Sequence, residues 1–436
     1  MSRIGLSAAA NIRPLLRVNP SADQPSPRGA SDTSPRARSP WLVVWALSVT
    51  QIISWGSMFY AFSVLLAPIA QETGWSRDAI VGAFSLSLLV AGIASAPVGL
   101  LIDRFGGRMV MSLGSLIGAV VLTLMSEVHT VAAFYVAWAV LGLAAAMLLY
   151  EPAFAVIYAN FESSARNAIT ALTLVAGFAS TVFWPLTQAL VSVLGWRHSL
   201  VALGIMNLAI CLPLHAVLLP SRAVQRRRRE AAERGSRPAQ KERRGVGRIV
   251  RTRSFWLLAL AFTANILSFS ALSVHLISLL QEKGFAPMHA VWLAASVGPM
   301  QVGGRLIEFT VGRRFSPKSV GLVALALLPF SLVALVFASS NLWMGFVFAV
   351  LYGASNGVMT IIRATMPAEF FGRDHYGAVN GALAAPVIAT RAAGPLVASL
   401  IWSAGDGYDE VLWVLIGVSI LAMAAFSFAV ITTPDR

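Results

Sequence analysis

The sequence predicts an all-α membrane protein of twelve transmembrane helices in two pseudo-symmetric six-helix bundles. Three observations carry this. The 436 residues are 57% hydrophobic and only 12% charged, more apolar than a soluble domain of this size needs. Apolar runs of about 20 residues, the length that crosses roughly 30 Å of hydrocarbon, recur at 41–70, 79–102, 109–127, 131–159, 168–194, 198–219, 254–280, 290–310, 319–339, 342–367, 376–403 and 411–431. The third observation is an internal repeat. A polar loop after the second run, Gly99-Leu100-Leu101-Ile102-Asp103-Arg104-Phe105-Gly106-Gly107-Arg108, has a degraded echo 205 positions later, Gly304-Arg305-Leu306-Ile307-Glu308-Phe309-Thr310-Val311-Gly312-Arg313. A membrane chain that repeats itself at half length is built from two similar bundles, the usual build of a secondary transporter.

Taken in order, residues 1–40 are rich in Ser, Pro and Arg, lack an apolar period and are expected to be a disordered cytoplasmic tail; a mis-assigned start codon is the alternative. Residues 41–219 form the first bundle. Each span must be helical, because lipid holds no water for stray backbone groups. The first, fourth and eleventh runs are longer than a bilayer needs, which predicts tilt or extension beyond it. The first is also too long for the apolar core of a cleaved leader. Residues 220–253 carry 13 basic and three acidic residues, including Arg226-Arg227-Arg228-Arg229, and read as a cytoplasmic linker held at anionic lipid. Residues 254–431 form the second bundle, and 432–436 a cytoplasmic tail. Further pairs keep the repeat in register: Gln71-Glu72-Thr73-Gly74-Trp75 matches Gln281-Glu282-Lys283-Gly284-Phe285, and Ala159-Asn160-Phe161 matches Ala368-Glu369-Phe370.

Charge sets the orientation. Of 33 Lys and Arg, three (Arg77, Arg197, Lys283) lie in one set of loops, three lie inside spans, and the rest lie on the other side with both termini. The positive-inside rule places that side in the cytoplasm, here of a bacterial-type inner membrane. The net charge of +14 is therefore a topology signal, and nucleic acid is not an expected partner. The lone cysteine, Cys211, permits no intrachain disulfide and no cysteine metal cluster. No phosphate loop or zinc spacing occurs. No cofactor, no metal and no enzymatic activity are expected.

Twelve spans, a central basic loop and the Gly-x-x-x-Asp-Arg-x-Gly-x-Arg pattern at 99–108 resemble the major facilitator superfamily over residues 41–431. Gly107 departs from that pattern, where a basic residue is usual. Ile53-Ser54-Trp55-Gly56, Gly74-Trp75-Ser76-Arg77 and Gly195-Trp196-Arg197 are similar to its monocarboxylate porter and oxalate/formate antiporter groups. The resemblance implies alternating access by a monomer. It also implies that Gly99, Asp103, Arg104, Gly106 and Arg108, with Glu308 and Arg313 in the echo, form a conformational latch, the glycines allowing a tight turn and close helix approach.

Charges inside spans point to the site. An arginine at mid-membrane costs roughly 2.5–3.5 kcal/mol on insertion scales and does not shed its proton. Arg391 in the eleventh run therefore needs a partner acid, a wet cavity or an anionic substrate. Arg305, in the eighth run, resembles the second half of the basic pair that grips carboxylates in the oxalate/formate group; its alternative partner is Glu308. Two guanidinium forks suit planar oxyanions. Glu151 and Arg363 lie at similar depths in matching spans, and are expected to form an ion pair or, with His275, to serve proton coupling. Gln51, Trp55, Tyr60, Trp184 and Asn265 complete the expected substrate-binding set. The expected function is transport of a small mono- or dicarboxylate by proton symport or anion exchange; the alternative is efflux of drugs or of oxyanion or metalloid species. The expected partners are that small, anionic substrate and the lipid bilayer.

Overall fold

A computed structural model describes residues 40–161, 165–220, 249–372, 376–405 and 407–432. The expected tail 1–40 apart from Pro40, which begins the first helix, most of the linker 220–253 and nearly all of 432–436 lie outside the described residues, as does the side chain of Arg313. The described part is helical almost throughout. In order it contains α1 (Pro40–Trp55), a π turn (Gly56–Tyr60), α2 (Ala61–Thr73), α3 (Arg77–Phe105), α4 (Gly107–Met125), α5 (Val131–Leu148), α6 (Tyr150–Asn160), α7 (Ala165–Ala176), α8 (Ala179–Met206), a second π turn (Asn207–Cys211) and α9 (Leu212–Leu218). The second half contains α10 (Arg253–Glu282), α11 (Pro287–Thr310), a 3-10 turn (Gly312–Arg314), α12 (Pro317–Val336), α13 (Leu342–Phe371), α14 (Tyr376–Ala404) and α15 (Tyr408–Thr432).

Local chemistry sets many of the helix starts. Ser76, Thr130, Thr252 and Ser316 each accept a hydrogen bond from the backbone N–H three residues on, and Asn341 accepts from Trp343 and Met344. These caps satisfy donors that the first helical turn leaves orphaned. Among the described residues, ten helical stretches are long and apolar enough to cross a membrane. Twelve spans arise from two further facts. The longest stretch, Asn167–Leu218, holds two spans, because Gly195 (φ 72°, ψ 169°) leaves the helical region and reverses the chain. Partners along the first span show the reversal: Trp184 meets Ser63 and Trp196 meets Glu72, after which Asn207 returns to Ser57 and His215 to Thr50. The twelfth span is α11, whose 24 residues reach about 36 Å but include Gln301, Arg305 and Glu308.

The packing is pseudo-symmetric. Within the halves, α3 packs on α5 as α11 packs on α13, and α4 packs on α8 and α9 as α12 packs on α15. Between the halves, α3 packs on α14 and α8 packs on α11, two contacts that a two-fold axis exchanges, while α2 packs on α10. The main apolar core of the first half is built around Phe62, Phe84, Trp138 and Phe183, with a smaller one around Val98, Ile102 and Met147. Two further cores fill the second half, and one of these takes in Val64 and Trp184 of the first.

The halves are pinned together at the end opposite the 99–108 loop. Arg77 donates to Tyr408 Oη at 2.9 Å and lies 4.2 Å from the centre of the Trp402 ring. Asp78 accepts from Ser399 Oγ at 2.6 Å and Ser403 Oγ at 3.0 Å. Hydrogen bonds to a charged group are worth about 1.5–3 kcal/mol each, so this end holds firmly. The loops there are braced as well, by Arg197 on Glu72 at 2.7 Å and by Lys283 on Asp409. Arg77, Trp196 and Arg197, which carried the narrower family resemblance, thus act as fasteners of this end.

Candidate functional site

A cavity of about 240 Å³ lies between the halves. The first half contributes Trp55, Phe59 and Tyr60 around the π turn, and Tyr150, Glu151 and Phe154 at the start of α6. The wider π turn puts positions four and five residues apart on one face. The second half contributes Arg305 and Gln301 from α11, Asn356, Thr360 and Arg363 from α13, Arg391 from α14, and Ser270 and Ser273 from α10. The positive charges of Arg391 and Arg305 bear on Arg363, so three guanidiniums share one small space.

Three prolines shape the walls by freeing a carbonyl. Proline has no N–H, so the carbonyl four residues before it loses its helical donor, and a buried orphan must be satisfied elsewhere. Pro152 frees Leu148, and Gln51 Nε2 donates to Leu148 O at 2.6 Å and Leu149 O at 3.3 Å. The backbone breaks at Leu149 (ψ −155°), which opens α6 towards the cavity. Pro299 frees Ala295, which accepts from Thr181 Oγ1 of the other half at 2.9 Å. Pro395 frees Arg391, whose carbonyl accepts from Ser270 Oγ at 2.5 Å. The arginine at the middle of α14 is therefore anchored by its own backbone to α10.

The structure brings Trp55, Tyr60, Glu151, Arg305, Arg363 and Arg391 together in the cavity. It places four expected residues elsewhere. Gln51 is wholly buried and committed to the α5–α6 break. Gln51→Leu should lower stability by about 1–3 kcal/mol, the cost of an unsatisfied buried acceptor, and leave ligand affinity of the folded protein unchanged; thermal unfolding and a binding titration check both. Trp184 is buried with its N–H on Ser63 Oγ at 2.7 Å. Asn265 is buried and does not line the cavity, its amide N and O both without a partner among the described residues. His275 sits at the fastened end. Its Nε2–H donates to Pro395 O at 2.9 Å, a tautomer assigned from that acceptor, and its Nδ1 accepts from Tyr408 Oη at 2.7 Å. It does not reach the cavity.

Glu151 and Arg363 line the same cavity, yet no carboxylate of a described residue lies within ion-pair distance of any of the three arginines. The expected Glu151–Arg363 pair is not formed, because helices α6 and α13 stand on opposite sides of open space. The alternative Arg305–Glu308 pair is not formed either: Arg305 reaches across to Thr173 O at 2.8 Å, and its Nε is buried without a partner among the described residues. Residues missed from the sequence include Phe59, Tyr150, Phe154, Ser270, Ser273, Gln301, Asn356 and Thr360. The last two form a polar stripe with Arg363 at helical spacing in an apolar span, which is a readable signal.

At the other end, Asp103, Arg104 and Arg108 are exposed on the α3–α4 turn, and Gly106 (φ 86°) makes that turn. The expectation of close helix approach fails at Gly99, where a side chain would meet nothing within 4 Å. Its counterpart Gly304 is the one pressed against the backbone of Ala354.

Two linked helix bundles around a polar cavity, twelve spans and a repeated loop define a multi-pass membrane carrier. The sequence model of the Major Facilitator Superfamily matches residues 47–313, more than half of the chain, and the protein belongs to that superfamily. It is 25% identical over 351 residues to YcxA of Bacillus subtilis (strain 168), an uncharacterized MFS-type transporter, covering 78% of this chain and 82% of that one. Among solved structures it is similar to a bacterial homolog of the human lysosomal transporter Spinster, inward-facing and occupied (TM-score 0.67, 15% identity, 91% of this chain and 98% of that one). It is also similar to the nucleoside transporter NupG (TM-score 0.69, 15% identity, 90% of this chain and 100% of that one). Identities this low compare folds only. The protein is a transporter rather than an enzyme.

Proposed function

We propose that this transporter moves a small organic anion, a mono- or dicarboxylate, by alternating access. One observation carries the reading: Arg305, Arg363 and Arg391 converge on a single cavity whose lining holds one carboxylate, Glu151. A guanidinium fork matches a carboxylate in two parallel hydrogen bonds. Among the described residues none of the three lies within ion-pair distance of a carboxylate, so the like charges repel each other until an anion enters. The two bundles, 41–219 and 254–431, rock about this site. The Arg77–Asp78 contacts close one end, and the Asp103 loop with Glu308 and Arg313 latches the other. The charge asymmetry of its loops puts both termini in the cytoplasm, and membership of the superfamily supports an inner-membrane monomer.

Coupling is by proton symport or by anion exchange, and Glu151 decides between them. It is the one carboxylate lining the cavity, and it is exposed there. In proteoliposomes under a pH gradient, Glu151→Gln should abolish gradient-driven accumulation and retain counterflow if the proton is the coupling ion. Unchanged accumulation would exclude Glu151 as the proton site, whereas counterflow without any gradient-driven accumulation in the native protein would establish exchange. The substrate class is tested by thermal stabilisation of the purified protein, since ligands that bind the folded state raise its stability. Carboxylates should stabilise it and lipophilic cations should not. Stabilisation by cations alone would replace this reading with drug efflux.

A further inference from the structure

The cavity has two unlike walls. On the first half, aromatic rings form a continuous surface. Trp55 lies 5.4 Å from Phe59 and 5.1 Å from Tyr150, and Tyr150 stacks on Phe154 at 5.3 Å with 11° between the planes. Phe59 meets Tyr60 edge-on at 5.2 Å. On the second half stand the three arginines. The walls face each other closely enough for the charge of Arg305 to bear on the Tyr60 and Tyr150 hydroxyls. The Trp55 N–H is buried without an acceptor among the described residues.

A purely aliphatic anion uses one wall and leaves the other facing water. A planar ring bearing a carboxylate uses both, its face offset-stacked on one side and its oxygens forked on the other. The volume bounds the size: about 240 Å³ is below the roughly 300–1,000 Å³ typical of drug-sized sites, which is room for one ring. Resting on the organic-anion reading above, we infer that the substrate class is single-ring aromatic carboxylates, the ring held by the first half through Trp55, Tyr150 and Phe154 and the carboxylate by the arginines of the second. Such a ligand bridges the two bundles, so binding and bundle closure are the same event.

The experiment compares ligands of equal charge and similar volume on the purified full-length protein by titration calorimetry: benzoate against cyclohexanecarboxylate, and phthalate against cyclohexane-1,2-dicarboxylate. Stacking adds about 0.5–1.5 kcal/mol beyond area burial, so the aromatic member of each pair should bind about two- to twelvefold tighter. In Phe154→Leu, which keeps apolar volume and removes the ring, the ratio of affinities within each pair should fall towards one, whatever change both members share; Tyr150→Leu serves as a second variant. Equal affinity within both pairs, with binding still lost in Arg391→Ala, would overturn the aromatic preference and leave the organic-anion reading standing. Failure of every carboxylate to bind would overturn both.

Discussion

Arg391→Ala is expected to abolish stabilisation by carboxylates and, without ligand, to raise the unfolding temperature. The two effects share one cause. In the empty protein Arg391 is one of three like charges lining a small cavity, without a carboxylate within ion-pair distance among the described residues. Removing it relieves repulsion and desolvation, the cost that unpaired charges carry in a low-dielectric site. With substrate bound, the same guanidinium is half of a charge-assisted pair, and truncating one partner of such a pair costs about 2–5 kcal/mol, at least about thirtyfold in affinity. Arg391→Lys keeps the charge and loses the planar fork, so it should fall between the two. Thermal unfolding of the three proteins with and without carboxylate measures all of this. Undiminished carboxylate stabilisation in the alanine variant would make Arg391 a structural residue.

Gly357→Ala should cost at least about 3 kcal/mol and destroy binding together with stability. A Cβ at this position would stand 2.2 Å from the carbonyl oxygen of Gln301 and 2.9 Å from its carbonyl carbon. The obstacle is backbone and cannot swing away, so the substitution sits at or above the top of the roughly 1–3 kcal/mol usual for overpacking. A Cβ on Gly353, one turn earlier, would stand 2.8 Å from Val297 O. Gly353-Ala354-Ser355-Asn356-Gly357 is thus the small-xxx-small face on which α13 meets α11. Those helices carry Asn356, Thr360 and Arg363 on one side and Gln301 and Arg305 on the other. Forcing them apart moves the cationic wall. Gly303→Ala on α11, with nothing within 4 Å, is the control and should change stability by less than about 0.5 kcal/mol. Equal unfolding temperatures for Gly357→Ala and the native protein would contradict this packing.

The placement of the expected residues shows what can be read from a sequence. Arg305, Arg363 and Arg391 stand out because a charge in an apolar run is costly wherever the helix faces, so it must look inward. Gln51, Trp184, Asn265 and His275 carry no such constraint. Their depth is legible, but the direction they face is not, and each is held inside the packing. For Gln51 half of the reason is written in the chain: Pro152 announces that the carbonyl of Leu148 is free. The donor lies 97 residues away, and no local pattern names it. The expected Glu151–Arg363 pair failed for a related reason. Equal depth in matching spans says nothing about the width of the space between them.

By itself the sequence determined the helical spans, their pairing into two repeats and the depth of each charge. These follow from transfer free energy and backbone hydrogen bonding, which act residue by residue along one dimension. Only the tertiary structure decided which charges share a cavity, which polar groups are spent on proline-freed carbonyls, and that an aromatic wall faces a cationic one. Those are matters of helix rotation and close approach. They are set by contacts such as Gly357 on Gln301 and Ser270 on Arg391, between residues the chain keeps far apart and packing alone brings together.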